Sequence, residues 1–275
     1  MLIRVEHTTT YRYARPPRAI TQILRMSPMQ TDGQHIRRWS VEPDFDARIH
    51  QGTDAFGNIT HTLYVDNPPH ELSLLVTGEV ETTDTAGALG QIPERLSPLV
   101  YLRDTALTAA DPAIRDLAEQ HAAGPALNRL HALMGDIAGR MRFRIGATTV
   151  HNSAAEALSL GEGVCQDYAH LFIATARCMG FPARYVSGHL FREDGMNLQD
   201  ASHAWAEAYV EDIGWIGFDA ANGICPTDRY IRIATGLDYL GVAPVRGSSF
   251  GGQNETMTVH IDVKDMRASS QQQQQ

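Results

Sequence analysis

Three residues in the second half of the chain have the types and the order needed for nucleophilic acyl transfer: Cys165, His203 and Asp219. A cysteine nucleophile acts as its thiolate, so it needs a neighbouring base, and the base needs a third group to orient it. Cys165 lies in the run Gly161-Glu162-Gly163-Val164-Cys165-Gln166-Asp167-Tyr168-Ala169-His170. This reads as a glycine turn feeding a helix that continues through Leu171, Phe172, Ile173, Ala176 and Met179. Gly180 and Pro182 are stop signals. The sulfur is thus delivered to the first turn of a helix, where free N–H groups and the positive end of the macrodipole favour a thiolate. Taken alone, the run fits a buried structural thiol equally well, because free cysteine is among the most buried residue types.

The partners come from a hairpin. His203-Ala204-Trp205-Ala206-Glu207-Ala208-Tyr209-Val210 alternates with a period of two, Glu211 to Gly214 turns, and Trp215-Ile216-Gly217-Phe218-Asp219 returns. A hairpin brings its two open ends together, which here carry His203 and Asp219. A turn centred between Asp212 and Ile213 would set Asp219 opposite Ala206, about 10 Å along the strand from His203 at ~3.4 Å per residue. The hairpin is therefore expected to contain a bulge, at Gly214 or Gly217, or an offset loop that shifts the register. Asp167 and His170, close after the cysteine, are candidates for substrate contact, and Trp205 for a wall of the site. Cys178 and Cys225 are expected to be inert. A zinc site using His189 and His203 is a weaker competing idea.

The elements that must position these residues divide along the chain. Residues 1–85 read as a mainly β domain, with strands near Ile3–Tyr13, Ile20–Met26, Ile36–Val41, Ile59–Val65 and Leu72–Val80 and a turn at Asp54–Asn58. A linker rich in Thr, Gly and Pro separates it from residues 86–265. There Asp111-Pro112 starts a helix running towards Gly124, a second spans about Pro125 to Met141, and Ser153 with Glu156 forms a capping box. Ala183–Leu190 is a strand, Tyr230–Ala234 a short helix or extended piece, and Met257–Val263 a last strand. Residues 266–275, ending in five Gln, are expected to be a disordered tail.

Composition narrows the function. The 275-residue chain is 43% hydrophobic and 20% charged, with a formal net charge of −9 and no dense basic cluster. Nucleic-acid and membrane partners are therefore not expected. The Arg- and Thr-rich start lacks the apolar core of a signal peptide, and no apolar run approaches a membrane span. Three cysteines without a paired framework point to a reduced, cytoplasmic setting. The histidines form no His-Glu-x-x-His, and no Cys/His cluster has zinc spacing, so no metal or other cofactor is expected.

Four blocks in order carry a resemblance. Gly163-Val-Cys165-Gln-Asp-Tyr-Ala-His, Gly180-Phe-Pro-Ala-Arg-Tyr-Val-Ser-Gly188, His203-Ala-Trp-Ala-Glu and Gly214-Trp-Ile-Gly-Phe-Asp219 resemble the core of the transglutaminase-like superfamily. More narrowly, the chain resembles the bacterial transglutaminase-like cysteine proteases, which carry an N-terminal β domain. His7-Thr-Thr-Thr-Tyr-Arg-Tyr, Phe56-Gly-Asn58, Gly236-Leu-Asp-Tyr and Pro244-Val-Arg-Gly247 extend the similarity to nearly the whole chain. One departure is Ala220, where the family commonly has Pro.

The resemblance implies an α+β fold. Its papain-like, transglutaminase-like core packs a Cys-bearing helix on an antiparallel sheet, after a mainly β N-terminal domain. It also implies a Cys165-His203-Asp219 triad acting on peptide, isopeptide or side-chain amide bonds through a thioester. Hydrolysis is the expected outcome. The alternatives are an amine-transferring transglutaminase and a non-catalytic binding module of the same fold. No acidic loop resembles a calcium site, which disfavours a calcium-switched cross-linker.

Overall fold

Alternating apolar and polar residues build the first third of the chain into strands. In the computed structural model, which describes residues 1–90, 94–194 and 198–266, these are β1 (Leu2–Arg15), β2 (Ala19–Ser27), β3 (Gln34–Pro43), β4 (Arg48–Thr53), β5 (Ile59–Asp66) and β6 (Glu71–Thr82). Every second residue of β6 from Leu72 to Thr82 is buried, as the two-residue period of a strand requires. Tyr11, Leu72 and Leu74 from β1 and β6 meet Leu24, Leu63 and Val65 from β2 and β5 in a shared apolar core.

The remaining elements are β7 (Ala88–Gly90), α1 (Pro112–Gln120), α2 (Ala126–Arg140), β8 (Arg142–Phe143), α3 (Ala154–Leu160), β9 (Glu162–Gly163), α4 (Cys165–Cys178), β10 (Ala183–Leu190), β11 (Leu198–Gln199), β12 (His203–Val210), β13 (Gly214–Phe218), β14 (Tyr230–Gly236), α5 (Tyr239–Val242), β15 (Val245–Phe250) and β16 (Gln253–Asp265). The helix starts follow from their caps. The Asp111 carboxylate accepts the Ile114 N–H at 2.9 Å, and Ser153 and Glu156 close a reciprocal box at α3.

Three larger sheets result, in the orders β11-β16-β1-β6-β3, β15-β2-β5-β4 and β14-β10-β12-β13-β7. The third carries the candidate site. Helix α4 crosses β12 and β10, and Ala204, Ala206 and Ala208 are buried on the β12 face beneath it. Their small side chains let the helix backbone approach. Leu171, Phe172 and Ile173 are each fully buried, which contributes about 1.5–3 kcal/mol per side chain. The same apolar cluster runs on into Ile3, Val5 and Val80 of the N-terminal strands. The expected α+β arrangement of a cysteine-bearing helix on an antiparallel sheet, after a mainly β region, is what the chain adopts.

Several details differ from the expectations. Helix α1 ends at Gln120 rather than near Gly124, because the His121 N–H closes its last turn onto Ala118 and Glu119. Tyr230–Ala234, open between a short helix and an extended piece, takes the extended form and pairs with β10. Strand β15, which the sequence reading does not include, pairs with β2, and β16 pairs with β1 along most of its length. The chain thus ends by returning to the sheets it began with. The Gln-rich tail from residue 267 lies outside the described residues. Among the described residues, no helix is long and apolar enough to cross a membrane.

Candidate active site

Cys165 is the first residue of α4. The turn before it is built by two glycines with different duties. Gly161 caps α3 in the left-handed region (φ 66°). Gly163 leaves room for a carboxylate: a Cβ there would stand 2.5 Å from Asp167 Oδ2. Asp167 uses that room to accept the Val164 N–H at 2.8 Å and the Thr148 hydroxyl at 2.6 Å. It is almost wholly buried, so it braces the turn and does not offer itself to a substrate. His170 is also fully buried and accepts the Tyr239 N–H at 3.1 Å. Of the two readings open for these side chains, substrate contact and structure, burial and their hydrogen bonds favour the structural one.

The hairpin brings His203 and Asp219 together: His203 Nε2 lies 2.6 Å from Asp219 Oδ2. The register is offset by one residue from that of a turn centred between Asp212 and Ile213, and an offset loop, one of the two expected devices, makes the shift. Glu211, Asp212 and Ile213 form a three-residue loop between paired Val210 and Gly214, and the ladder then runs without a shift to Ala206 and Phe218. Left-handed backbone at Asp212 (φ 67°) and Gly214 (φ 97°) closes the loop. No bulge interrupts this ladder. Continued by one step, the register sets Asp219 opposite Trp205 instead of Ala206, and a one-residue change moves a side chain to the other face. Asp219 and His203 become diagonal neighbours on one face, within reach of each other. The ladder ends at Phe218, where Asp219 turns into a bridge with Ile224.

Two polar residues missing from the sequence reading complete the surroundings of the carboxylate. Asn222 Nδ2 donates to Asp219 Oδ2 at 2.7 Å, and Tyr230 Oη donates to the same oxygen at 2.8 Å. Oδ1 accepts the N–H groups of Ala221 and Asn222 at 3.1 and 3.2 Å. The spacing Asp-x-x-Asn is an Asx-type turn signal that could have revealed Asn222. Tyr230, eleven positions on in another strand, leaves no local signal.

The electrostatics follow from these contacts. Burial alone would lower the pKa of His203. Its hydrogen bond to Asp219, together with the negative charges of Asp219 and Cys165, outweighs burial and raises it from 6.5 to about 10. Burial would raise the Asp219 carboxyl, but His203, Asn222 and Tyr230 hold it below the ordinary value. Because Asp219 takes Nε2, the ring nitrogen left for the sulfur is Nδ1. Trp205 stacks beside His203 with ring centroids 6.2 Å apart and is buried.

Glu207, on the same strand, is fully buried and pairs with Arg184 at 2.6 Å and Arg232 at 2.7 Å. It ties β12 to β10 and β14. His189 packs against His7 and Trp39, with centroids 5.7 and 6.3 Å apart. Among the described residues, no group of three or more His, Cys, Asp or Glu side chains is placed to hold a metal ion.

Comparison with known proteins agrees with this architecture. Residues 115–220 match the model of the transglutaminase-like superfamily, and residues 3–81 that of the bacterial transglutaminase-like N-terminal region. An uncharacterised protein of Mycobacterium leprae is 29% identical over 280 residues, covering 95% of this chain and 98% of the relative. One of Mycobacterium tuberculosis is 30% identical over 288 residues, covering 94% and 91%. A crystal structure from Cytophaga hutchinsonii, described as that of a candidate cysteine protease, shares the fold with a TM-score of 0.78. It is 24% identical and covers 97% of this chain and 91% of its own. With both family models matched in order and a relative similar along nearly its whole length, the chain belongs to the transglutaminase-like superfamily, with the bacterial transglutaminase-like N-terminal region ahead of the core.

Proposed function

We propose that this protein is a thiol acyl-transfer enzyme that hydrolyses peptide, isopeptide or side-chain amide bonds, with Cys165 as nucleophile, His203 as acid and base, and Asp219 as its orienter. The observation that carries this reading is the 2.6 Å His203–Asp219 contact, with Cys165 among the groups whose negative charge raises the pKa of the same ring. A non-catalytic module would have no need to bury a charged pair against a thiol.

In the proposed cycle the Cys165 thiolate attacks the amide carbon while His203 is an imidazolium. The developing oxyanion meets the Cys165 N–H, one of the free donors at the start of α4. Attack then changes His203. Part of its raised pKa comes from the charge of Cys165, and the sulfur loses that charge once it is bonded to carbon in the tetrahedral intermediate, whose C–N bond then breaks to leave the thioester. The imidazolium becomes more acidic at the step in which the leaving amine needs a proton. Neutral His203 next takes a proton from water, and hydroxide attack on the thioester releases the acid. Asp219 holds the ring throughout. The three free cysteines fit a reducing compartment, and we assign the enzyme to the cytoplasm on that ground.

The test is incubation with a library of peptides and γ-glutamyl amides, with and without an added primary amine. Amine release abolished by Cys165→Ala is the expected result, and incorporation of the added amine would assign transfer in place of hydrolysis. The enzyme reading fails if no substrate turns over and iodoacetamide labels Cys165 no faster than Cys178 or Cys225 near neutral pH.

A further inference from the structure

The hydroxyl of Tyr230 reaches the Asp219 carboxylate from β14, the outer strand of the third sheet. Burial, and then the charge of Asp219, push that hydroxyl's pKa upward, so it stays a donor. Holding a donor on a buried carboxylate requires the strand that carries it to be held, and among the described residues β14 has a ladder partner on one side only, β10.

The other side is served by side chains of the N-terminal strands. Gln34, at the start of β3, donates from Nε2 to the Arg232 carbonyl at 2.9 Å and accepts the Arg232 N–H on Oε1 at 2.8 Å. Asn58, just before β5, does the same to Thr235, with both bonds at 2.8 Å. Thr82 donates to the Asp228 carbonyl. Gln34 and Asn58 are both buried. Each amide offers one donor and one acceptor, the pair that a neighbouring strand's backbone would supply. The register shift opposite Ser187 and Gly188 leaves Ile233 out of the ladder. That extra residue brings Arg232 and Thr235 to the same outer edge.

We propose that the N-terminal β region is a positioning part of the active site: through Gln34 and Asn58 it clamps β14, so that the Tyr230 hydroxyl holds Asp219, and with it His203, in line with Cys165. Tyr230 and Gln34 are thus positioning residues that touch no reacting atom. The inference rests on the catalytic reading of Cys165, His203 and Asp219, and gives the N-terminal region a task in that chemistry.

The test uses the full chain with Tyr230→Phe, Gln34→Leu and the two combined. Gln34→Glu keeps an acceptor for the Arg232 N–H and sets a carboxylate oxygen in place of the donor against the Arg232 carbonyl, so it carries the test if Gln34→Leu does not fold. The first readout needs no substrate: the far-downfield proton resonance of His203 Nε2–H, held by Asp219. It is expected to move or broaden in Tyr230→Phe, and less so in the Gln34 variants. The second is kinetic. Tyr230→Phe is expected to lower kcat about tenfold at unchanged KM, a part of the 10²–10⁴ that positioned acid–base groups contribute. Gln34→Leu should add little to Tyr230→Phe, because both act through one hydroxyl. The proposal is overturned if the resonance is unchanged in Tyr230→Phe, or if the Gln34 variants lower kcat without altering the resonance, or if the two losses multiply. A chain that turns over no amide would defeat the proposed function while leaving the resonance to decide this inference.

Discussion

His203 is the residue on which protonation and stability meet. Its folded pKa of about 10 lies above the ordinary 6.5, so its interactions stabilise the fold fully below pH 6.5 and lose that contribution as pH rises through about 10. Asp219 has the opposite sense: its lowered pKa gives stability present above the ordinary carboxyl range and lost on acidification below it. A His203→Asn variant should therefore trail the wild type in urea stability by a constant margin near pH 6, and the margin should narrow between pH 6.5 and about 10. A margin that widens over that interval would contradict the assignment. Gly163 makes a separate demand. Gly163→Ala places a methyl group against Asp167, and the forced shift should cost about 1–3 kcal/mol. Because the turn it disturbs aims Cys165, labelling of the thiol by iodoacetamide should slow as well. Cys165, His203 and Asp219 are legible in the sequence because each sits at an element end whose pattern is local. The duties of Asp167 and His170 are not, since burial by distant segments decides whether a polar side chain meets substrate or backbone.

At the scale of elements, the β12–β13 hairpin decides which face Asp219 occupies. Alternation located both strands, but loop length set their register, and the left-handed Asp212 is a choice that an ordinary aspartate does not announce. Asn222 and Tyr230 escaped for related reasons, one inside a turn and one in a strand whose neighbours are far away in sequence. The buried charges show how such strands are fixed to one another. Glu207 lies between Arg184 and Arg232, joining β10, β12 and β14, and Arg184 also lies 3.7 Å from the centroid of the Trp215 ring. Glu207→Gln leaves two arginines without their shared counter-charge. Removing one member of a buried ion pair should cost about 3–5 kcal/mol, measurable as a fall in the urea midpoint. A loss below about 1 kcal/mol would mean that water enters and screens the site.

The whole molecule carries an acid-sensitive set of histidines away from the His203–Asp219 pair. Burial lowers His7 to about 4, and it lowers His170 to about 4 against a smaller opposing pull from Asp238. Burial and the nearby His7 lower His189 to about 3. Each folds neutral and would be protonated in the unfolded chain below pH 6.5, so stability should fall as pH drops from 6.5 towards 4. His189→Leu should flatten that slope in denaturation midpoints measured between pH 7 and 4, and an unchanged slope would exclude it as a source. His7 and His189 meet where the first and third sheets touch. That junction is the part of the fold least legible in the sequence, because no local pattern says that Gln34 will pair with Arg232 or that the last strands will return to the first.

That return also has a consequence in time. Strand β1 lies between β6 and β16, and residues such as Arg12 and Thr256 that meet across it are 244 positions apart. At a synthesis rate of about 5–20 residues per second, β1 waits about 12–50 s with one edge unpaired. A nascent chain carrying Ile3, Val5 and Tyr11 on such an open strand is a target for chaperones and for its own copies on neighbouring ribosomes. The unfinished chain on the ribosome is therefore a vulnerable form of the protein until β16 is made and covers the open edge of β1.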